Sequence, residues 1–276
     1  MCLRFASLNS GSNGNCYYVE NEEDAIFVDA GLICKETLRR MHTLGLSMQK
    51  VKAIFISHEH SDHVRGLDVI SRNYQIPVYI NTGTRKNHTM PLREDLVCYI
   101  NNTDTITIGS LQVHPFSKKH DAADPLSFRI AYREHSVGVF TDMGIVCDNL
   151  IHHFQQCHAA ILESNYDEEM LEKGPYPIYL KKRIRSDEGH LSNNQALELF
   201  LKHKPAFMKR LLLGHLSQQN NHPKIVEQLF QQHVGDVDVL VATRYGATKL
   251  YSTDEDLNIK KTAPENPMQL NMFDSQ

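Results

Sequence analysis

Apolar and polar positions alternate along this chain in short blocks. Short runs of apolar, β-branched and aromatic residues predict strands over residues 3–8, 16–19, 25–29, 51–57, 78–80, 105–108, 111–116, 127–132, 137–141, 159–162, 211–213 and 237–241. Amphipathic stretches between them predict helices over residues 35–44, 62–72, 148–154, 167–173, 193–202 and 223–233. Ser192 stands where an N-cap would open the fifth of these helices. The two halves echo each other. The stretch IFVDAG at 26–31 matches VFTDMG at 139–144, each a strand ending in Asp, then Gly, then helix. AIFISHEH at 53–60 is matched in position by AAILESNY at 159–166. Two similar β-rich halves stacked face to face predict an α/β fold, a four-layer αββα sandwich. No linker rich in Gly, Ser or Pro divides them, so one domain is expected over residues 1–254. From residue 255 to 276 the chain is polar and aperiodic with two prolines, and reads as a flexible tail.

Composition narrows the class. Hydrophobic residues are 41% of the 276, enough for a core and too many for a disordered chain. No apolar run reaches the ~18 residues that cross a bilayer. The opening MCLRFASLNSGSNGN has no apolar segment of signal-peptide type, so a cytoplasmic location is expected. Cys2, Cys16, Cys34, Cys98, Cys147 and Cys157 are scattered without a C-x-x-C pair, which predicts reduced thiols and no Cys-ligated zinc. The net charge of -4 argues against a general nucleic-acid coat and leaves room for a local basic patch. There are 16 histidines, so their positions must decide what they mean.

Three imidazoles and two carboxylates crowd into ISHEHSDH, residues 56–63. His58, His60, Asp62 and His63 lie after the predicted strand 51–57 and at the start of a predicted helix. Imidazole nitrogen and carboxylate oxygen are the usual donors to Zn²⁺, Mn²⁺ or Fe. His-x-His sets two imidazoles on one side of an extended segment, and Asp-His at a helix start aims two more donors at the same space. One ion rarely takes four ligands from six consecutive residues, so two adjacent ions are expected. Asp62 as a mere N-cap among surface histidines is the bland alternative, and it leaves the H-x-H-x-D-H spacing unexplained.

On that motif the chain resembles the metallo-β-lactamase superfamily, over nearly all of its folded part. The resemblance implies that Asp29 in FVDAG supports the ligands from behind. It implies that His58, His60 and His120 (in KKHDAADP) hold one ion, and that Asp62, His63 and His215 (in LLLGHLS) hold a second. Asp142 in FTDMG would bridge them. His114, on a predicted strand, rivals His120; the latter is preferred because it lies beyond the strand, where ligands gather. Asp at 142 points toward the hydrolase and phosphodiesterase branches. A cation pair ~3.5–4 Å apart can share a hydroxide as nucleophile and clamp a phosphodiester. ILESN and DEGHLSNNQA are similar to motifs of RNase Z type phosphodiesterases, which implies that His190 acts as general acid, oriented by Glu163, together with Asp62.

Together SLNSGSNGNCYYVE, SHEHSDHVRGL, KKHDAADP, ESNYDEEML and GHLSNNQA resemble the YycJ/WalJ family. That likeness implies a 5′→3′ exonuclease on double-stranded DNA using Mn²⁺, with Zn²⁺ equally suited to the donors. A small-ester hydrolase of lactonase or thioesterase type and an RNA-processing nuclease are the alternatives. Two segments fit a nucleic-acid substrate. KKRIR, with Lys181, Lys182, Arg183 and Arg185, is either a phosphate contact or a solvated charged face. The Ser10, Ser12 and Asn13 loop is either a phosphate cradle or a hairpin turn. In the tail, QLNMF resembles the peptide by which bacterial repair proteins bind the replication sliding clamp, with Gln269, Leu270, Met272 and Phe273 as the contacts.

Overall fold

A computed structural model describes residues 2–87 and 91–254. Strands β1 (Arg4–Asn9), β2 (Cys16–Glu20), β3 (Ala25–Val28), β4 (Val51–Phe55), β5 (Val78–Ile80) and β6 (Val97–Tyr99) run side by side in chain order. Strands β7 (Ile106–Ile108), β8 (Leu111–Ser117), β9 (Leu126–Tyr132), β10 (His135–Phe140), β11 (Ala159–Glu163), β12 (Arg210–Gly214) and β13 (Asp238–Val241) form a second sheet. The short β14 (Tyr251–Ser252) returns to the outer edge of β1. Each sheet begins antiparallel and becomes parallel, from β3 onward in the first and from β10 onward in the second. The echo between the halves is thus an echo of topology.

Period-2 alternation sorts the side chains into layers. Phe5, Tyr17, Val28, Phe55, Phe128, Val139 and Ile161 meet between the sheets, and the Phe55 and Phe128 rings pack edge-on at 5.6 Å across the seam. Tyr18, Phe27 and Ile54 turn outward with Met41 of α1 (Cys34–Thr43). Strand β3, AIFV, is central, covered on both faces and apolar throughout, as a strand in a parallel pairing is. Chain order then gives α2 (Ser61–Val64), α3 (Leu67–Tyr74), α4 (Thr82–Asn87), α5 (Asp148–Phe154), α6 (Glu168–Lys173), α7 (Ile178–Arg185), α8 (Asn193–His203) and α9 (Pro223–Gln231). Phe154, Phe200 and Phe230 of α5, α8 and α9 cover the outer face of the second sheet. The result is the expected αββα sandwich.

Differences from the expected elements have local causes. The helix expected over 62–72 is two helices, because the chain at Gly66 presses against the loop after β3. Its N–H donates to Ala30 O at 2.8 Å, and a Cβ there would lie 1.9 Å from Leu32 O. The KKRIR segment is part of helix α7, which buries none of its residues. Strands β6 and β14 are short and incompletely buried. Ser192 does open α8, in a capping box with Gln195.

Candidate metal centre

The residues of interest gather at one edge of the sandwich, beyond the C-terminal ends of strands. Asp29 follows β3, His58 to His63 follow β4, His120 follows β8, Asp142 follows β10, Glu163 ends β11 and His215 follows β12. Parallel-paired β3, β4, β10, β11 and β12, together with antiparallel β8, thus deliver the ligand-type residues as the chain leaves the sheets. Asp29, Asp142 and His215 all adopt left-handed backbone, with φ of 61°, 54° and 55°. Such a conformation costs a non-glycine residue on the order of 1–3 kcal/mol. Each of these three turns sharply off a strand and aims its side chain back over the sheet edge. Gly31 provides the close approach: a Cβ there would stand 1.6 Å from Asp62 O.

Two donor clusters share this edge. His58, His60 and His120 form one, and Asp62, His63 and His215 form the other. Asp142 lies between them. One of its oxygens is 3.1 Å from His63 Nε2, and the other is 3.5 Å from His215 Nε2 and 3.7 Å from His120 Nε2. The far sides of the His58, His63, His120 and His215 rings are anchored. His63 Nδ1 is 2.7 Å from Asp29, which also accepts from Ser57 N–H and Ser57 Oγ at 2.8 Å. His58 Nδ1 meets Ser57 Oγ at 2.9 Å, and His120 Nδ1 meets Gly189 O at 3.0 Å. Glu163 Oε1 stands 2.8 Å from Nδ1 of both His190 and His215. Its other oxygen accepts from Met143 N–H and Leu191 N–H, at 2.8 and 3.0 Å. Fixing Nδ1 sets the tautomer and leaves Nε2 facing inward.

The fit to divalent cations can be read from what is left unsatisfied. His120 Nε2, His215 Nε2 and Asp142 Oδ2 are buried atoms with no hydrogen-bond partner. Each such group costs ~1–3 kcal/mol unless something meets it, and all three point into the space between the clusters. Nitrogen and oxygen donors at this spacing suit a borderline or hard divalent ion.

Charge around the cluster is strongly coupled. Burial opposes ionisation of Asp142, yet His215 and His63 hold its carboxyl well below the usual range. Burial likewise opposes charge on Glu163, but His190 and His215 bring it down to about 2. Burial disfavours imidazolium at His215, and Asp142, Asp62 and Glu163 outweigh it, pushing the ring up to about 10. His63 is raised well above its usual value in the same way, by Asp142, Asp29 and Asp62 against burial. Burial lowers His120 to about 4. His58 also falls well below the usual value, through burial and the nearby His63.

The motif residues and Asp29, Glu163 and His190 are thus brought together. His114 is not among them; it sits on β8, hydrogen-bonded to Thr105 Oγ1 at 3.2 Å. Ser10 differs from the phosphate-cradle expectation. Its Oγ is buried, accepts from His215 N–H at 2.7 Å and meets Tyr17 OH at 2.8 Å, so it braces a candidate ligand. Ser12 and Asn13 are exposed at the site rim. On α7, Arg183 is paired with Asp121 and Arg185 with Glu172 at 2.6 Å, Lys181 donates to Glu172 O, and Lys182 is exposed. Residues 255–276, including Gln269 to Phe273, lie outside the described residues.

Sequence reasoning missed several supports. Asn15 Nδ2 lies 3.1 Å from Asp62 Oδ2 and 3.0 Å from His63 Nε2. Asn165 Nδ2 donates to His215 O at 2.8 Å. Lys118 is buried and donates to Thr141 O at 2.6 Å, holding the peptide before Asp142. Their one signal in the sequence is polarity at strand ends.

A two-sheet sandwich with this histidine–aspartate edge defines a hydrolase of metallo-β-lactamase type. Residues 25–216 match the family model described as a beta-lactamase superfamily domain, and the chain belongs to the metallo-β-lactamase superfamily, in its YycJ/WalJ-like group. It is 35% identical to "Exodeoxyribonuclease YycJ" of Bacillus anthracis, over 84% of this chain and 89% of that one. It is 30% identical to "Exodeoxyribonuclease WalJ" of Streptococcus pneumoniae, over 92% of this chain and 95% of that one. Zn²⁺-bound PqqB of Methylobacterium extorquens superposes with a TM-score of 0.70 at 14% identity, covering 89% of this chain and 99% of that one, a likeness of fold alone. No helix among the described residues is long and apolar enough to cross a membrane.

The raised imidazoles make a prediction about pH. His215, pushed up to about 10, carries a proton near neutral pH in the metal-free protein, and a ligating imidazole must be neutral. Loading with Mn²⁺ or Zn²⁺ should therefore release protons, and affinity should climb as pH rises toward the His215 value of about 10. Calorimetry near pH 7 in buffers of different ionisation enthalpy counts them; a count near zero contradicts this charge distribution.

Proposed function

We propose that this chain is a divalent-metal-dependent nuclease that degrades double-stranded DNA from the 5′ end. The observation that carries the reading is Asp142 standing between two donor clusters with the Glu163–His190 pair beside them. His58, His60 and His120 would hold one ion, Asp62, His63 and His215 a second, and Asp142 would bridge the two. Mn²⁺ and Zn²⁺ both suit the donors. When bound, such ions supply an activated water and neutralise charge on a phosphodiester.

The remaining work falls to the side chains. Asp29 holds His63 by Nδ1, so that its Nε2 faces the cluster. Glu163, an anion at neutral pH, accepts a hydrogen bond from His190 Nδ1–H at 2.8 Å and so fixes the ring with Nε2–H on its far side. The Nε2–H of His190 is then free to protonate the leaving oxygen, with Asp62 taking part in the proton transfer. His190 is partly exposed, with 21% of its side chain open, as a group that must meet substrate should be. Residues 1–254 would act as one catalytic domain, working in the cytoplasm.

Purified protein, duplex DNA carrying a 5′ label, matched RNA and added Mn²⁺ or Zn²⁺ test the reading. The label should be released from DNA, and Asp62→Ala with His63→Ala should abolish this. His190→Ala should slow turnover 10²–10⁴-fold with metal content unchanged. Cleavage of RNA alone would reassign the substrate. No cleavage of either polymer, with turnover of a lactone or thioester, would make it a small-ester hydrolase.

The QLNMF segment supports a second element of the proposal, docking on the replication sliding clamp, on the strength of its sequence alone. A fluorescent peptide of residues 264–276 should bind purified clamp, and Leu270→Ala with Phe273→Ala should abolish binding. Equal binding by the two peptides would remove the clamp from the account.

A further inference from the structure

The turn between β1 and β2 borders the candidate metal centre, since Asn15 reaches Asp62 and His63. Two guanidinium groups bracket its exposed tip. Arg65, two residues past His63, donates from Nη1 to Asn13 O at 3.1 Å. Arg244 donates from Nη2 to Leu216 O at 3.1 Å, next to His215, and the same nitrogen lies 3.4 Å from Ser12 Oγ. Its Nη1 donates to Gln218 Oε1 at 2.7 Å, and its carbonyl accepts from Asn13 Nδ2 at 2.9 Å. Gly11 makes the room: its φ is +132°, and a Cβ there would stand 2.8 Å from Arg244 Nη2.

What sets this pair apart is the chemistry of its partners. Each acceptor is a neutral oxygen, and among the described residues neither guanidinium is paired with a carboxylate. Arg183 and Arg185 of α7, by contrast, are neutralised by Asp121 and Glu172. A guanidinium held by neutral oxygens keeps its full charge. It also keeps spare donors, because each has five N–H groups and these contacts use one on Arg65 and three on Arg244. An oriented, uncompensated guanidinium suits a phosphate oxygen pair.

We propose that Arg65 and Arg244, set on either side of Ser12 and Asn13, form the backbone-phosphate subsite for the nucleic-acid strand beside the metal centre. This rests on the nuclease reading and moves the expected phosphate contact from KKRIR to residues 50 or more positions away in sequence on either side. Ser12 and Asn13 act as the scaffold that spaces the two guanidiniums.

The test is anisotropy of a labelled, 5′-phosphorylated duplex with the full chain in a His190→Ala background, loaded with Mn²⁺ and read at times short against its slowed turnover. Arg65→Gln with Arg244→Gln should weaken binding about tenfold or more and reduce the slope of log K against log salt by about two. Arg65→Lys with Arg244→Lys should keep most of the slope, which separates lost charge from a disturbed turn. Arg185→Gln on α7 should stay within about twofold of the parent. Parent-like affinity and slope in the Gln pair, or an equal loss in Arg185→Gln, overturns the subsite and leaves the nuclease reading standing. A parent that binds neither DNA nor RNA overturns both.

Discussion

Three carboxylates, Asp29, Asp142 and Glu163, are buried at one edge of this sandwich, and much of the local structure follows from keeping them charged there. An isolated buried carboxylate would take up a proton, because losing its hydration is so costly. Here each has imidazole or N–H partners. Asp29 faces His63 and Ser57, Asp142 faces His63, His120 and His215, and Glu163 faces two rings and two backbone amides. Lys118 adds a buried amine near the same group, tied to Thr141 O, and burial lowers its pKa. The balance is incomplete on the inner side, where Nε2 and carboxylate oxygens meet no partner. A cavity so built is a receptor for positive charge.

The fold supplies the geometry that lets the balance exist. Parallel strands deliver Asp29, Asp142 and His215 to the same edge, and left-handed backbone at each turns the side chain inward. Strain of this kind persists only where surroundings over-determine it. Here the surroundings are the hydrogen bonds that grip each turn: Asp29 N–H to Phe55 O at 2.8 Å, Lys118 on the carbonyl before Asp142, and Ser10 on the amide of His215. Glu163 couples the two parts of the site. One oxygen serves both His215, a candidate ligand, and His190, the candidate acid, so the charge state of one ring bears on the other.

Much of this was legible in the sequence because it is local. H-x-H-x-D-H packs its chemistry into six positions, and alternating strands separated by turns announce two sheets. What was not legible is what arrives from far away. Asn15 meets Asp62 across 47 positions, and Arg244 meets the β1–β2 turn across 232. No window of sequence contains such pairs. The break at Gly66 was hidden for the same reason, since only the packed loop after β3 forbids a Cβ there. The Ser10 loop read as a phosphate cradle or a hairpin turn, and neither reading contains the contact of its hydroxyl with the amide of His215, 205 positions away. The basic run on α7 left a phosphate contact and a solvated charged face open, because its acidic partners, Asp121 and Glu172, lie elsewhere in the chain.

The central claim is that Asp142 is shared by two ions. The most direct measurement is anomalous diffraction from crystals grown with Mn²⁺. The account predicts two peaks about 3.5–4 Å apart, one against His58, His60 and His120, the other against Asp62, His63 and His215, with Asp142 touching both. A single peak, or two peaks with Asp142 bound to neither, would contradict it.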